Sequence, residues 1–137
     1  MGIKELLQKF LSTPPSIPSE EIHQLEPLLI EGESFFLAKG TSYRQPAIKM
    51  LGLGEHNFLL TPEKGNKHDP LAVMVQGIHK GNSLHVGYLP MGSAAQENTH
   101  LLGTMMMTKG KIPMVQGAVM EGDSGLIIRL FMPSNMT

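Results

Sequence analysis

The segment Asn66-Lys67-His68-Asp69-Pro70-Leu71-Ala72-Val73-Met74-Val75 constrains this chain more than any other. Its first half is turn chemistry. Asn and Asp side chains bond nearby backbone groups, and proline fixes φ. Its second half is an unbroken apolar run with β-branched residues, which suits a buried strand. A turn that delivers an amide, an imidazole and a carboxylate to the mouth of a strand sets a compact polar cluster on a rigid support. Binding sites are commonly built that way.

The surrounding texture is mostly strand. Phe35 to Ala38, His56 to Leu60, Leu71 to Gln76, Leu84 to Leu89, Lys111 to Met120 and Leu126 to Met132 read as six short strands. Residues 77–82 read as a hairpin loop and 121–125 as a second turn. The strands after residues 66–70 and 122–125 are apolar at successive positions, as fully buried strands are. Ser93 to Leu102 has helical character, with Ala94, Ala95 and Leu102 for its inner face. Met105, Met106 and Met107 read as core filling. Six strands and an internal helix predict a mainly β fold, a small closed or partly closed barrel.

Residues 1–33 read differently. Ile3, Leu6, Leu7, Phe10 and Leu11 share one face of a short amphipathic helix. Pro14, Pro15 and Pro18 break it, Ser19 is placed to cap a second short helix, and Pro27 ends or bends that one. The expected organisation is a helical, Pro-rich extension over 1–33 and a β domain over 34–137.

Composition narrows the function classes. The chain has 137 residues, 41% apolar and 17% charged, which is globular. It has no cysteine, which excludes a disulfide framework, a thiolate metal site and a cysteine nucleophile. No apolar run approaches membrane-spanning length, and Met1 to Leu6 lacks a signal-peptide core, so a cytoplasmic location is expected. The net charge of −1 conceals an asymmetry: residues 1–34 carry two lysines against six glutamates, −4, whereas 35–137 carry nine basic and six acidic residues, +3. Lys39, Arg44, Lys49, Lys64, Lys67 and Lys80 supply a modest basic face, compatible with a phosphate chain and equally with a solvated surface.

Three ordered segments resemble the HIRAN domain, a small β module attached to DNA-processing enzymes and also found alone. The first is Phe36-Leu37-Ala38-Lys39-Gly40 with Ser42-Tyr43. The second is Leu59-Leu60-Thr61-Pro62-Glu63 running into Asn66-Lys67-His68-Asp69 and Ala72-Val73. The third is Val86-Gly87-Tyr88-Leu89-Pro90 followed by Ser93-Ala94-Ala95. The resemblance implies an OB-like fold that grips the 3′ end of single-stranded DNA. It implies that Asp69 accepts a hydrogen bond from the terminal hydroxyl, that Tyr43 and His68 face the end bases, and that Asn66 holds the turn or a phosphate. The best understood member carries an arginine where this chain has Ser42, so Arg44 or Lys67 would have to supply that charge. The family's other known residue at position 68 is a tyrosine, which stacks over more area than the imidazole here.

Read on their own chemistry, the same residues admit plainer roles. Asp69 serves equally well as a turn residue bonding its own backbone. His68 suits a half-exposed turn, Tyr43 suits roofing the core with its hydroxyl at the surface, and Tyr88, within Gly87-Tyr88-Leu89-Pro90, suits a structural role. His68 beside Asp69 suggests a metal-dependent hydrolase or nuclease. Neighbours on a strand point to opposite faces, however, and no nucleophile motif, phosphate loop or carboxylate cluster accompanies them. His56, His79, His85 and His100 show no ligand spacing. The expectation is therefore a non-catalytic module without cofactor or metal that binds single-stranded DNA 3′ ends in repair or replication-related processing. Its further partner would be a larger DNA-processing enzyme, and the alternative is a protein-interaction module that does not bind DNA.

Overall fold

The computed structural model describes residues 25–137. The amphipathic helix expected over residues 3–11, the proline break and the helix start at Ser19 lie outside the described residues.

Among the described residues seven strands form one sheet: β1 (Glu26–Leu29), β2 (Ser34–Leu37), β3 (Gly54–Pro62), β4 (Val73–His79), β5 (Asn82–Tyr88), β6 (Lys111–Gly122) and β7 (Gly125–Met132). The hydrogen-bonded order is β2-β7-β6-β3-β4-β5, antiparallel throughout. β1 lies off that path, parallel to β6, with Glu26 opposite Lys111 and the two side chains ion-paired. The expected second helix does not extend into this stretch. Residues 26–29 take an edge of β6 that β7, pairing from Gly117 onward, leaves free.

The sheet is open and does not form the closed barrel. Its two outer strands, β2 and β5, do not pair. The ends instead meet at one bridge, where Lys39 and Tyr88 exchange both backbone hydrogen bonds at 2.8 Å. β2 is only four residues long, and the chain leaves the sheet at Gly40 for a 3-10 turn over Thr41–Tyr43, so no longer ladder forms. Gly87 allows even this contact, because a Cβ there would sit 2.8 Å from the Lys39 carbonyl oxygen.

Turn chemistry tightens the hairpins beyond the sequence expectation. β4 runs on to His79 and β5 begins at Asn82, leaving only Lys80 and Gly81 between them, both at positive φ (50° and 80°). Two such residues match the right-handed twist of the flanking strands. β4 is also not buried on both faces. Val73, Val75 and Gly77 are buried while Met74 and Gln76 are half-buried, the alternation of a one-sided strand.

Two helices close the ends of the curl. α1 (Gln45–Leu51), which sequence reading left unassigned, starts on Pro46 in its first turn and ends at Gly52. It buries Ile48 and Leu51, and Leu51 occupies the space that any side chain at residue 77 would need. Gln45 ties it to β7 by donating to and accepting from the Leu126 backbone, at 2.9 and 2.8 Å. α2 (Ala94–Met107) is longer than expected and differently rotated. Ala95, Gln96, Thr99, Leu101 and Gly103 are buried, whereas Ala94 is exposed and Leu102 half-buried. Gly103 sets α2 down on Pro62 and Pro113, and Met106 and Met107 are buried as core.

Between the helices, Phe58, Leu60, Val75, Val86, Val115, Ile128 and Leu130 are fully buried in one cluster. Each contributes on the order of 1.5–3 kcal/mol through removal from water. Among the described residues no helix is long and apolar enough to cross a membrane.

Candidate functional site

The loop between β3 and β4 is closed at its base by the Glu63 N–H donating to the Ala72 carbonyl at 2.9 Å. Inside it, Asn66 does the folding. Its Oδ1 accepts from the backbone N–H of His68 and of Asp69, at 3.0 and 2.9 Å, and its Nδ2 donates to Glu63 at 2.8 Å. The amide therefore spends all its strong contacts on the loop, which assigns Asn66 to holding the turn. Glu63 in turn accepts from the Tyr88 hydroxyl with both oxygens at 3.1 Å, fastening the loop to the end of β5.

Asp69 is held on two sides. Its Oδ1 accepts from the Leu71 N–H at 3.2 Å, the local turn bond that its residue type predicts. Its Oδ2 accepts from Gln96 Nε2 on α2 at 2.5 Å. Gln96 is 1% exposed, and its own Oε1 accepts from the Gly92 N–H at 2.9 Å.

These elements surround a concavity of about 280 Å³ lined by Lys39, Gly40, Asn66, His68, Asp69, Ala72, Tyr88, Leu89 and Met91. Its character is mixed. The acidic Asp69 and the basic Lys39 line it beside the aromatic Tyr88 and His68, with the apolar Met91, 72% exposed, at its edge. Arg44 lies over the Tyr88 ring, 5.2 Å from its centroid, and donates to the Gly40 carbonyl at 3.4 Å. The His85 and Tyr88 rings meet in a T-shaped arrangement with centroids 4.7 Å apart, and the His85 Nε2–H donates to the Gly87 carbonyl at 3.0 Å.

Burial, then the bond to Glu63, raises the Tyr88 phenol above its usual value, so it remains a donor. Burial, then the nearby Arg44 charge, lowers His85, so this imidazole is neutral near pH 7. His100, one helical turn beyond Gln96, is lowered by burial, with the Asp69 charge acting weakly in the opposite sense. Its Nδ1 and the Thr99 hydroxyl are buried without a hydrogen-bond partner.

Of the residues singled out in the sequence, Asn66, His68 and Asp69 come together at this concavity. Lys67 is exposed beside them and does not line it. Ser42 and Tyr43 are exposed on the 3-10 turn, and Tyr43, at 86% exposure, is not among the lining residues. Arg44 does not line the concavity and reaches it through Tyr88 and the Gly40 carbonyl. Lys39, Tyr88, Met91 and Gln96 escaped the sequence reading as site residues. Gln96 had a signal: Ser93-Ala94-Ala95-Gln96 has the spacing of a capping box. Ser93 does cap α2, accepting from the Gln96 N–H at 3.0 Å. The Gln96 side chain, however, reaches Gly92 rather than Ser93, which leaves its amide for Asp69.

A second concavity, about 240 Å³, lies on the sheet and is lined by Glu55, His56, Asn57, Gln116, Gly117 and Phe131. No lysine or arginine lines it, and His56 is committed to the Gly52 carbonyl at 2.8 Å. Among the described residues no three His, Asp or Glu side chains converge to hold a metal ion. No family model matches the chain, and neither a curated protein nor a solved structure matches it.

Proposed function

We propose that this chain is a non-catalytic module that binds the 3′-hydroxyl end of single-stranded DNA, in the manner its resemblance to the HIRAN domain implies. One observation carries the reading: a carboxylate, Asp69, is held as an acceptor at the wall of a concavity that also presents a lysine and planar side chains. A carboxylate accepts from a hydroxyl and repels a phosphate at the same point. Rings stack on bases without regard to sequence, contributing on the order of 1–3 kcal/mol per base. His68 and Tyr88 are the rings that line the concavity, and on this reading Tyr43, exposed on the 3-10 turn, stacks on a base outside it.

The curl of the sheet to the Lys39–Tyr88 bridge supports an OB-like relationship, which we infer along with a role in DNA repair or replication-related processing. The test is a titration of labelled oligonucleotides ending in a 3′-hydroxyl or a 3′-phosphate. Tighter binding of the hydroxyl end supports the reading; equal affinity, or none at low salt, defeats it. In that event a protein-interaction role takes precedence, because Phe35 and Leu37 on β2 and Leu28 on β1 are 57%, 40% and 51% exposed along the sheet edge.

A further inference from the structure

Gln96 joins the two walls of the concavity. It accepts from Gly92, in the turn that carries Met91, and donates to Asp69, in the loop that carries His68. Backbone chemistry decides which way its amide points. The Gly92 N–H can only donate, so it must face Oε1, and Nε2 must then face Asp69. Asp69 Oδ2 meets a donor there, and Oδ1 meets another in the Leu71 N–H. Both oxygens of Asp69 thus face donors from the protein. What Asp69 offers the concavity is therefore acceptor capacity.

We propose that Gln96, buried and not itself lining the concavity, is the positioning residue that makes the site selective for a donor at the strand terminus. The proposal rests on the reading of the concavity as a 3′-end site. Any terminus that donates, hydroxyl or amine, satisfies Asp69, and a terminus that only accepts does not. The same strut fixes the separation of the Met91 turn from the Asp69 loop, so the width of the opening and the polarity of its wall depend on one side chain.

Two substitutions separate the halves of this role. Gln96→Met keeps the length and apolar bulk but loses both bonds. Gln96→Glu keeps the acceptor for Gly92 and can donate to Asp69 only while it carries a proton. Two carboxylates at this spacing do not both ionise readily. The hydroxyl-to-phosphate affinity ratio is measured from about pH 5.5 to about pH 8, with the wild-type profile as reference. That reference absorbs the second ionisation of the 3′-phosphate. It also absorbs the titratable groups facing Asp69 and Gln96: Glu63, Lys39, Tyr88 and His68 at the concavity, and Glu97 and His100 on α2.

The expected ratio for Gln96→Met is about tenfold below wild type at every pH, the scale of one hydrogen bond to a charged group. Gln96→Glu is expected to match the wild-type ratio at the acid end, where it still donates to Asp69, and to depart from it at the alkaline end, where that donor is lost. A merely structural defect would weaken both oligonucleotides alike and leave the ratio unchanged, and that result overturns the proposal. A wild-type ratio of one defeats the end-binding reading instead. The strut itself is read without DNA or core substitutions, from the Gln96 side-chain amide in nuclear magnetic resonance spectra. Slow exchange with solvent that accelerates in Asp69→Ala supports it, and fast exchange in the wild-type protein overturns it.

Discussion

Lys39 and Tyr88 hydrogen-bond to each other's backbone in both directions at 2.8 Å, and both line the concavity. The contact that draws the ends of the sheet together is thus also a wall of the candidate site.

That coincidence makes Gly87 a sensitive position. Gly87→Ala places a methyl group 2.8 Å from the Lys39 carbonyl and 3.3 Å from the Ala38 Cβ. The bridge must open or the strands must part, at a cost of about 1–3 kcal/mol. Chemical denaturation should report the loss. Amide exchange at Lys39 and Tyr88 should accelerate together, and affinity for either oligonucleotide should fall.

Asp69→Asn should impair more than charge. Asparagine has one acceptor oxygen, whereas Leu71 N–H and Gln96 Nε2 both require one. One donor is left facing the new amide, a loss of about 1–3 kcal/mol. The variant is expected to unfold at lower denaturant and to lose preference for the 3′-hydroxyl over the 3′-phosphate. Unchanged stability would contradict the two-sided hold on this carboxylate.

Tyr43→Ala has the opposite profile. The ring is 86% exposed, so the denaturation midpoint should move by less than about 0.5 kcal/mol in stability terms. Affinity for hydroxyl and phosphate ends should drop equally, by the roughly 1–3 kcal/mol of one stacked base. No change in either affinity would place the contact surface entirely on His68 and Tyr88.

Salt dependence reads the cations. Each phosphate neutralised on a single strand steepens the fall of log affinity with log salt by about 0.7. Lys39→Ala, at the concavity, should lower that slope by about one such increment. Lys49→Ala, on the exposed surface of α1, should leave it unchanged.

Stability should fall on mild acidification. His85 and His100 are both held below the usual value of 6.5, chiefly by burial. Below that value the unfolded chain binds protons that the folded chain does not, so acidification favours unfolding. The denaturation midpoint should be level from about pH 8 to about pH 7. It should drop as pH falls below about 6.5, until the folded imidazoles are themselves protonated. His100→Leu removes one of the two and should flatten the drop.

What could be read from the sequence was local. Asn66 folds its own loop because its acceptor lies within reach of the next two or three N–H groups. Strand texture located six of the seven described strands. β1 escaped because Glu26-Pro27-Leu28-Leu29 carries no alternation, and its strand character comes from a parallel partner far along the chain. α1 escaped because a seven-residue helix with two buried side chains gives too short a period to detect.

The β class, the places of the turns and the polar cluster at Asn66, His68 and Asp69 were legible in the chain, since residue type and local pattern mark each of them. Long-range packing set the rest: the sheet stays open, Tyr88 rather than Tyr43 lines the concavity, and Gln96 holds Asp69 from 27 residues away. Those outcomes depend on how far a strand continues and where a helix sets down. Both are fixed by packing between segments whose separation leaves no periodic trace in the chain.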